Sequence, residues 1–250
     1  AELDLQREKP LNPAPLVSVA IACSGASRAA VRSTLEALGK QTYANFEVCL
    51  VSELAQAGLT DYEGIPKFRL VLFNGTANEQ LKAAEKMLNG AYFLQLLPGD
   101  LPAPDALHML VLQTHANPEA EVVFADEDSV IDGIRQNPIF KPDYGRDTLR
   151  SFNSIGRPML VSKRVHTAVG GFRGSTPAEL WAYCIDCASA AKQVIHIARI
   201  GLTVIRSCDG SEIPCTDILK REFNSLYPGD GSGKKNRTNG YCFEGSVLGT

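Results

Sequence analysis

No apolar stretch in this 250-residue chain approaches the roughly 20 residues that a membrane-crossing helix needs. Runs such as Tyr92–Leu97 and Met109–Gln113 fall far short of it. No cationic segment followed by an apolar one opens the sequence, so no secretory signal is expected. Basic excess is also lacking: 25 Lys and Arg stand against 28 Asp and Glu, a net charge of −3, which argues against a nucleic-acid protein. The short cluster Lys234-Lys235-Asn236-Arg237 is too small to change that. Seven cysteines, an odd number scattered through apolar elements, do not suit a disulfide scaffold and fit reduced thiols, hence a cytoplasmic setting. Histidine is scarce, at four residues. His108 and His115 stand seven apart on one predicted helix, whereas a helical metal site recruits i,i+4 pairs; His166 and His196 are isolated. No internal repeat is present.

The chain has enough apolar residues, 44%, for a sizeable core. Residues 1–14, ending in Asn12-Pro13-Ala14, read as a linker. From residue 16 strand and helix patterns alternate. Leu16–Ala22, Phe46–Val51, Phe68–Phe73, Ala91–Leu96 and Glu121–Ala125 read as strands. Between them lie a helix capped by Ser27 with Val31, Leu35 and Leu38 on one stripe, a helix over Asn78–Leu88 closed by Asn89-Gly90, and a helix over Pro104–His115. This alternation predicts βαβ units, a mostly parallel sheet and ligand sites beyond the carboxyl ends of the strands. After Asp126 it breaks down. Met159–Ser162 reads as a short strand, Ala178–Ala190 as a helix, and Val194–Ala198 and Leu202–Ile205 as two short apolar runs. Residues 207–250 turn rich in Gly, Ser, Lys and Asn and read as an extension toward a further domain. Cys184-Ile185-Asp186-Cys187, with Cys208 and Cys215 downstream, has a metal or redox spacing, but it sits inside a helical pattern, so buried small side chains are the preferred reading.

Six segments then carry a resemblance. They are Pro15-Leu16-Val17-Ser18-Val19, Gln41-Thr42-Tyr43-Ala44-Asn45-Phe46-Glu47, Pro104-Asp105-Ala106-Leu107, Phe124-Ala125-Asp126-Glu127-Asp128, Phe140-Lys141-Pro142-Asp143 and Gly170-Gly171-Phe172-Arg173. Together they resemble the framework of family-2 glycosyltransferases over about residues 15–206. The nearest subgroup is the first transferase domain of tandem bacterial enzymes of O-antigen or rhamnan-type polysaccharide assembly. The resemblance implies an α/β, Rossmann-like GT-A domain with a mostly parallel central sheet and helices on both faces. It also implies a nucleotide-sugar donor, a divalent ion such as Mg²⁺ or Mn²⁺, and inverting transfer to an acceptor hydroxyl. A diphosphate leaving group needs a hard cation held by carboxylates, and the hydroxyl needs a carboxylate base.

At the positions that should supply this chemistry the sequence departs from the family. The base-pocket motif after the first strand is Ala22-Cys23-Ser24-Gly25, and the acid pair after the second is Ser52-Glu53. Lys82 replaces the asparagine of the second helix. The Asp-x-Asp-Asp metal motif aligns with Leu97-Pro98-Gly99-Asp100, leaving one acid. The catalytic base maps to Pro177, with Glu179 at the neighbouring acid, and a late histidine maps near Thr203. Ser24, Glu53, Lys82 and Asp100 are therefore degenerate nucleotide-site positions, and Asp128 and Glu179 are the candidate catalytic acids. The cluster Asp126-Glu127-Asp128 offers a substitute metal site or base; alternatively Asp126 caps a turn and the other two are solvated. Asp100 reads as a turn residue. Trp181 offers a sugar-stacking face or core packing.

The expectation is thus a transferase-like domain with impaired chemistry, no cofactor and a role in binding glycan or neighbouring transferase domains, reaching the inner membrane face through partners. The alternative is active transfer without a metal, with Lys82 or Arg157 as the cation.

Overall fold

The computed structural model describes residues 2–53, 65–174 and 176–205. The cysteines and basic cluster noted after residue 206 lie outside these residues, as does the proposed extension 207–250.

Strand β1 (Val17–Ala22) is buried along its whole length, and its alternation assigns the two faces of the sheet. Val17, Val19 and Ile21 meet Val31, Leu35 and Leu38 of α2 (Arg28–Leu38) and Leu107 and Leu110 of α4 (Ala106–Ala116). The small Ala20 and Ala22 leave room on the other face for Leu81 and Ala84 of α3 (Ala77–Glu85). That second face also takes Leu149 of α5 (Arg146–Ser151), Val165 of α6 (Lys163–Ala168) and Trp181 and Tyr183 of α7 (Pro177–Ala190). Each fully buried leucine contributes roughly 1.5–3 kcal/mol, so both faces are essential to the sheet.

The remaining strands are β2 (Phe46–Ser52), β3 (Phe68–Leu72), β4 (Tyr92–Leu96), β5 (Asp100–Pro102), β6 (Ala120–Ile131), β7 (Ile134–Ile139), β8 (Met159–Ser162) and β9 (Gln193–Ile205). They form one sheet in the order β3-β2-β1-β4-β8-β6-β9-β5, with β7 hydrogen-bonded to β6. β3, β2, β1 and β4 are parallel, as are β6 and β9. β8 is antiparallel to both β4 and β6, so β6 regains the direction of β4. The carboxyl ends of β1, β2, β3, β4 and β6 therefore share one edge. The α/β, mostly parallel architecture with helices on both faces agrees with the sequence reading.

Four local readings change. β6 continues through Asp126-Glu127-Asp128 to Ile131, because β7 and β9 pair with that stretch from either side. The two apolar runs expected near the end are one strand, β9. Helix α3 stops at Glu85 with Lys86 as its cap, not at Asn89-Gly90. The Asn89 and Gly90 amides instead donate to Glu47 Oε1 (2.7 Å) and Ser18 Oγ (2.8 Å), and a Cβ at Gly90 would lie 2.5 Å from Ser18 Oγ. Finally, residues 1–14, read as linker, contain a short helix, α1 (Glu2–Glu8), whose Gln6 accepts a hydrogen bond from Thr42 (2.7 Å).

The framework segments hold loops to strands. Gln41 donates to Ala103 O (2.7 Å) and accepts from Leu107 N (3.0 Å), tying α2's exit to α4's entry. Tyr43 and Asn45 donate to the carbonyls of Pro15 and Ala14. Phe172 is buried with Phe93 and His166, which explains the Gly-Gly-Phe-Arg segment.

Candidate functional site

The shared carboxyl edge carries the loops that sequence reasoning selected. In the first, the amides of Cys23 and Ser24 both donate to Gln80 Oε1, at 2.8 and 2.9 Å. Gln80 is fully buried, and its Nε2 donates to Phe73 O at 3.2 Å, so one side chain ties the loop after β1 to the loop after β3. Gln80 was missed from sequence. Its signal is an amide on α3's core stripe, three residues after Ala77 and next to Leu81. Lys82, two residues on, is exposed to solvent, and Glu53 is half-buried at the end of β2.

At the metal-motif position the chain turns sharply. Gly99 adopts φ +95°, a conformation that favours glycine. Its amide lies within hydrogen-bond distance of Thr34 Oγ1 (2.9 Å). Asp100 caps this turn, accepting from the Leu97 amide at 2.8 Å, as the turn reading expected. The same carboxylate, 1% exposed, also receives a two-point contact from Arg157: Nε to Oδ2 at 2.7 Å and Nη2 to Oδ1 at 3.0 Å. Burial alone lowers the guanidinium's proton affinity, but Asp100 reverses that and holds Arg157 above its usual range. β9 lies alongside, with Thr203 opposite Leu101 and Val204 opposite Asp100, so the strand brings a threonine to the position of the late histidine, and its own His196 pairs further back, opposite Phe124.

The acidic cluster is neither a turn cap nor solvated. Each of its three carboxylates has its own side-chain partner within the fold. Asp126 accepts from the Lys141 amide (2.9 Å) and lies 2.8 Å from His196 Nε2, whose Nδ1 is 3.2 Å from Asp143. The His196 ring stacks on Phe124. Glu127 pairs with Lys141 Nζ at 3.1 Å, and Asp128, 6% exposed, pairs with Arg135 at 2.7 Å. Charge repulsion among three neighbouring acids is thereby relieved within the fold.

Glu179 closes the first turn of α7. Its carboxylate accepts from the Thr176 amide (3.1 Å) while Thr176 Oγ1 accepts from the Glu179 amide (3.2 Å). The other carboxylate oxygen accepts from Asn78 Nδ2 at 2.8 Å, joining the first turns of α3 and α7. α3 carries a matching box, Thr76 with Glu79. Trp181 is buried, and its indole N–H donates to Leu149 O at 2.6 Å, so it packs the core and is no sugar platform. Burial pushes the Cys184 thiol up to about 12 and raises Cys187 as well, which disfavours the thiolates that metal or redox chemistry uses. His166 is buried against Phe93, with Nδ1 3.0 Å from the Tyr183 hydroxyl.

A divalent ion poorly fits this donor set. Among the described residues no three His, Cys, Asp or Glu side chains are grouped to hold one. Asp100, the surviving motif acid, has both oxygens occupied by protein N–H donors. Beside it, Phe93, Gln95, Arg157 and Leu180 are among the residues that line a space of only about 10 Å³. No helix among the described residues is long and apolar enough to cross a membrane.

No protein-family model matches the chain. It is 30% identical over 203 residues to the uncharacterized protein y4gI of Sinorhizobium fredii, covering 76% of this chain and 22% of that protein. It is also 30% identical over 173 residues to the O-antigen biosynthesis protein RfbC of Myxococcus xanthus, covering 65% of this chain and 14% of that one. The chain thus spans less than a quarter of either relative's length. Among solved structures it is similar to residues 1–349 of Staphylococcus aureus TarS in complex with UDP-GlcNAc, with TM-score 0.60, 13% identity, and 76% and 58% of the two chains covered. It is also similar to the mannosyltransferase PcManGT of Pyrobaculum calidifontis in complex with GDP-Man and Mn²⁺, with TM-score 0.55, 16% identity, and 93% and 71% covered. The fold is that of these GT-A proteins.

Proposed function

The chain is a GT-A-fold, glycosyltransferase-like domain, and we propose that it is a family-2 module of a bacterial polysaccharide-assembly protein whose own cleft is catalytically impaired. The observation that carries the proposal is the Asp100–Arg157 pair. A metal-dependent transferase needs carboxylate oxygens free to ligate the ion that bridges to the diphosphate. Here the one acid left at that position is neutralised by a guanidinium of the same chain. The two candidate bases are engaged as well, Asp128 by Arg135 and Glu179 by its helix cap. A base must reach the acceptor proton, and these partners compete with that role in both acids.

The module would bind glycan or position neighbouring transferase domains of the same polypeptide, at the cytoplasmic side of the membrane. The sequence relation to RfbC and the small share of either relative that the chain spans support this reading. It takes up no cofactor of its own. Titration calorimetry with UDP- and dTDP-sugars, with and without Mn²⁺, tests the proposal: metal-dependent binding would count against it. The rival reading, transfer without a metal, draws on the guanidinium at the metal position, because a fixed cation can stabilise a leaving diphosphate. It predicts donor hydrolysis that survives EDTA and is lost in Asp128→Asn.

A further inference from the structure

Lys141 is a buried ammonium, its side chain 4% exposed, with more partners than any single framework interaction requires. Nζ donates to three backbone carbonyls from two separate parts of the chain: Ala125 O on β6 at 2.8 Å, Ile155 O at 2.7 Å and Arg157 O at 2.7 Å. The Glu127 carboxylate stands 3.1 Å away. Three carbonyls and one carboxylate around a positive centre form the kind of oxygen cage that holds a small cation. Lysine has three N–H bonds to give, and four oxygens, three of them main-chain, compete for them. The main-chain amide of the same residue donates to Asp126, so the backbone is fixed at this point too.

The cage has one consequence for the cleft. The residue whose carbonyl it grips, Arg157, is the residue whose guanidinium closes on Asp100. Gly156, between the gripped carbonyls of Ile155 and Arg157, has φ +54°, and a Cβ there would lie 3.3 Å from Glu127 Oε2 and 3.5 Å from Lys141 Nζ. We propose that Lys141 is a positioning residue, a tethered cation that bridges β6 to the 155–157 turn and thereby sets Arg157 on Asp100. The inference concerns how the cleft floor is organised and holds whether or not the domain transfers sugar. Glu127, Arg157 and the Cys184 thiol are the titratable groups that act on the ammonium. The Lys141–Glu127 and Arg157–Asp100 pairs balance in charge, so the floor is organised by cations the chain itself carries.

Replacement with a small side chain, Lys141→Ala, should empty the cage and open it to a small cation from solution. The experiment follows hydrogen exchange at the Arg157 Nε–H, which reports directly on its contact with Asp100. In Lys141→Ala that exchange should quicken by about tenfold or more, the scale set by losing one charge-assisted hydrogen bond. It should slow again in ammonium chloride but not in tetramethylammonium chloride at equal ionic strength, because only the former cation fits among the carbonyls. A merely structural lysine would show no such size dependence. The double variant Lys141→Met with Glu127→Gln removes charge from the cage without leaving an unpaired ion, and serves should Lys141→Ala fail to fold. Its Arg157 Nε–H should also lose protection. Protection kept in either folded variant, or equal response of Lys141→Ala to both salts, overturns the proposal.

Discussion

Arg157 meets Asp100 through two parallel hydrogen bonds, 2.7 and 3.0 Å long, at the position where the glycosyltransferase framework should hold a metal ion. Bidentate guanidinium–carboxylate geometry is specific, and a pair this deeply buried is much costlier to break than to omit. Asp100→Ala strands the guanidinium and should lower unfolding stability by about 3–5 kcal/mol, read from urea denaturation. The paired replacement Asp100→Leu with Arg157→Met should recover a large part of that loss. A loss in the double variant equal to the sum of the two single losses would show that the groups do not act as a pair.

Glu179 is predicted to serve α7 and not chemistry. Glu179→Gln keeps an acceptor for the Thr176 amide and should change stability by less than about 0.5 kcal/mol, whereas Glu179→Ala should cost about 1 kcal/mol. Thermal unfolding of the two variants provides the comparison. Equal destabilisation by both would mean that charge, not capping, is what Glu179 supplies.

Gln80 should be the joint of the first-strand loop. With Gln80→Ala the amides of Cys23 and Ser24 lose their acceptor and the Phe73 carbonyl its donor. A destabilisation of about 1–3 kcal/mol follows from leaving such groups unpaired. Hydrogen exchange at Cys23 and Ser24 should accelerate ahead of that on β1. Unchanged protection at these two amides would contradict the assignment.

Acid should act through Glu47. This carboxyl is 1% exposed; burial pushes its pKa up, but the Asn89 amide, Ser18 and Arg69 more than offset that and hold it below the usual 4.5. A carboxyl whose folded pKa is depressed stabilises the fold fully above its unfolded pKa and loses that contribution as pH falls through the folded value. Stability should therefore decline below about pH 4.5, and Glu47→Gln should flatten the decline while lowering stability at pH 7. A variant with the same acid slope as the parent would remove Glu47 from the explanation.

Particular residues show how far the sequence could be read. Val31, Leu35 and Leu38 announced α2 and its buried face, and Ser27 announced its cap, because both signals are local. The parallel half of the sheet followed from the alternation of such segments. Asp126-Glu127-Asp128 could not be placed, since what makes three acids part of a buried strand is pairing with β7 and β9 and with Lys141, His196 and Arg135, all distant or later in the chain. Asn89-Gly90 misled for a related reason. Their helix-stop composition is set by close packing against Ser18, 72 residues before Gly90. In the cleft, the missing carboxylates were legible at Leu97 and Gly99, but the partner of the remaining one was not, because Asp100 and Arg157 lie 57 residues apart.

The most direct test is a crystal of the chain soaked with UDP and Mn²⁺ and measured for anomalous scattering from manganese. An intact Asp100–Arg157 pair with no manganese ligated by protein side chains is the predicted result. Manganese bound between the diphosphate and Asp100, with Arg157 swung away, would contradict the account.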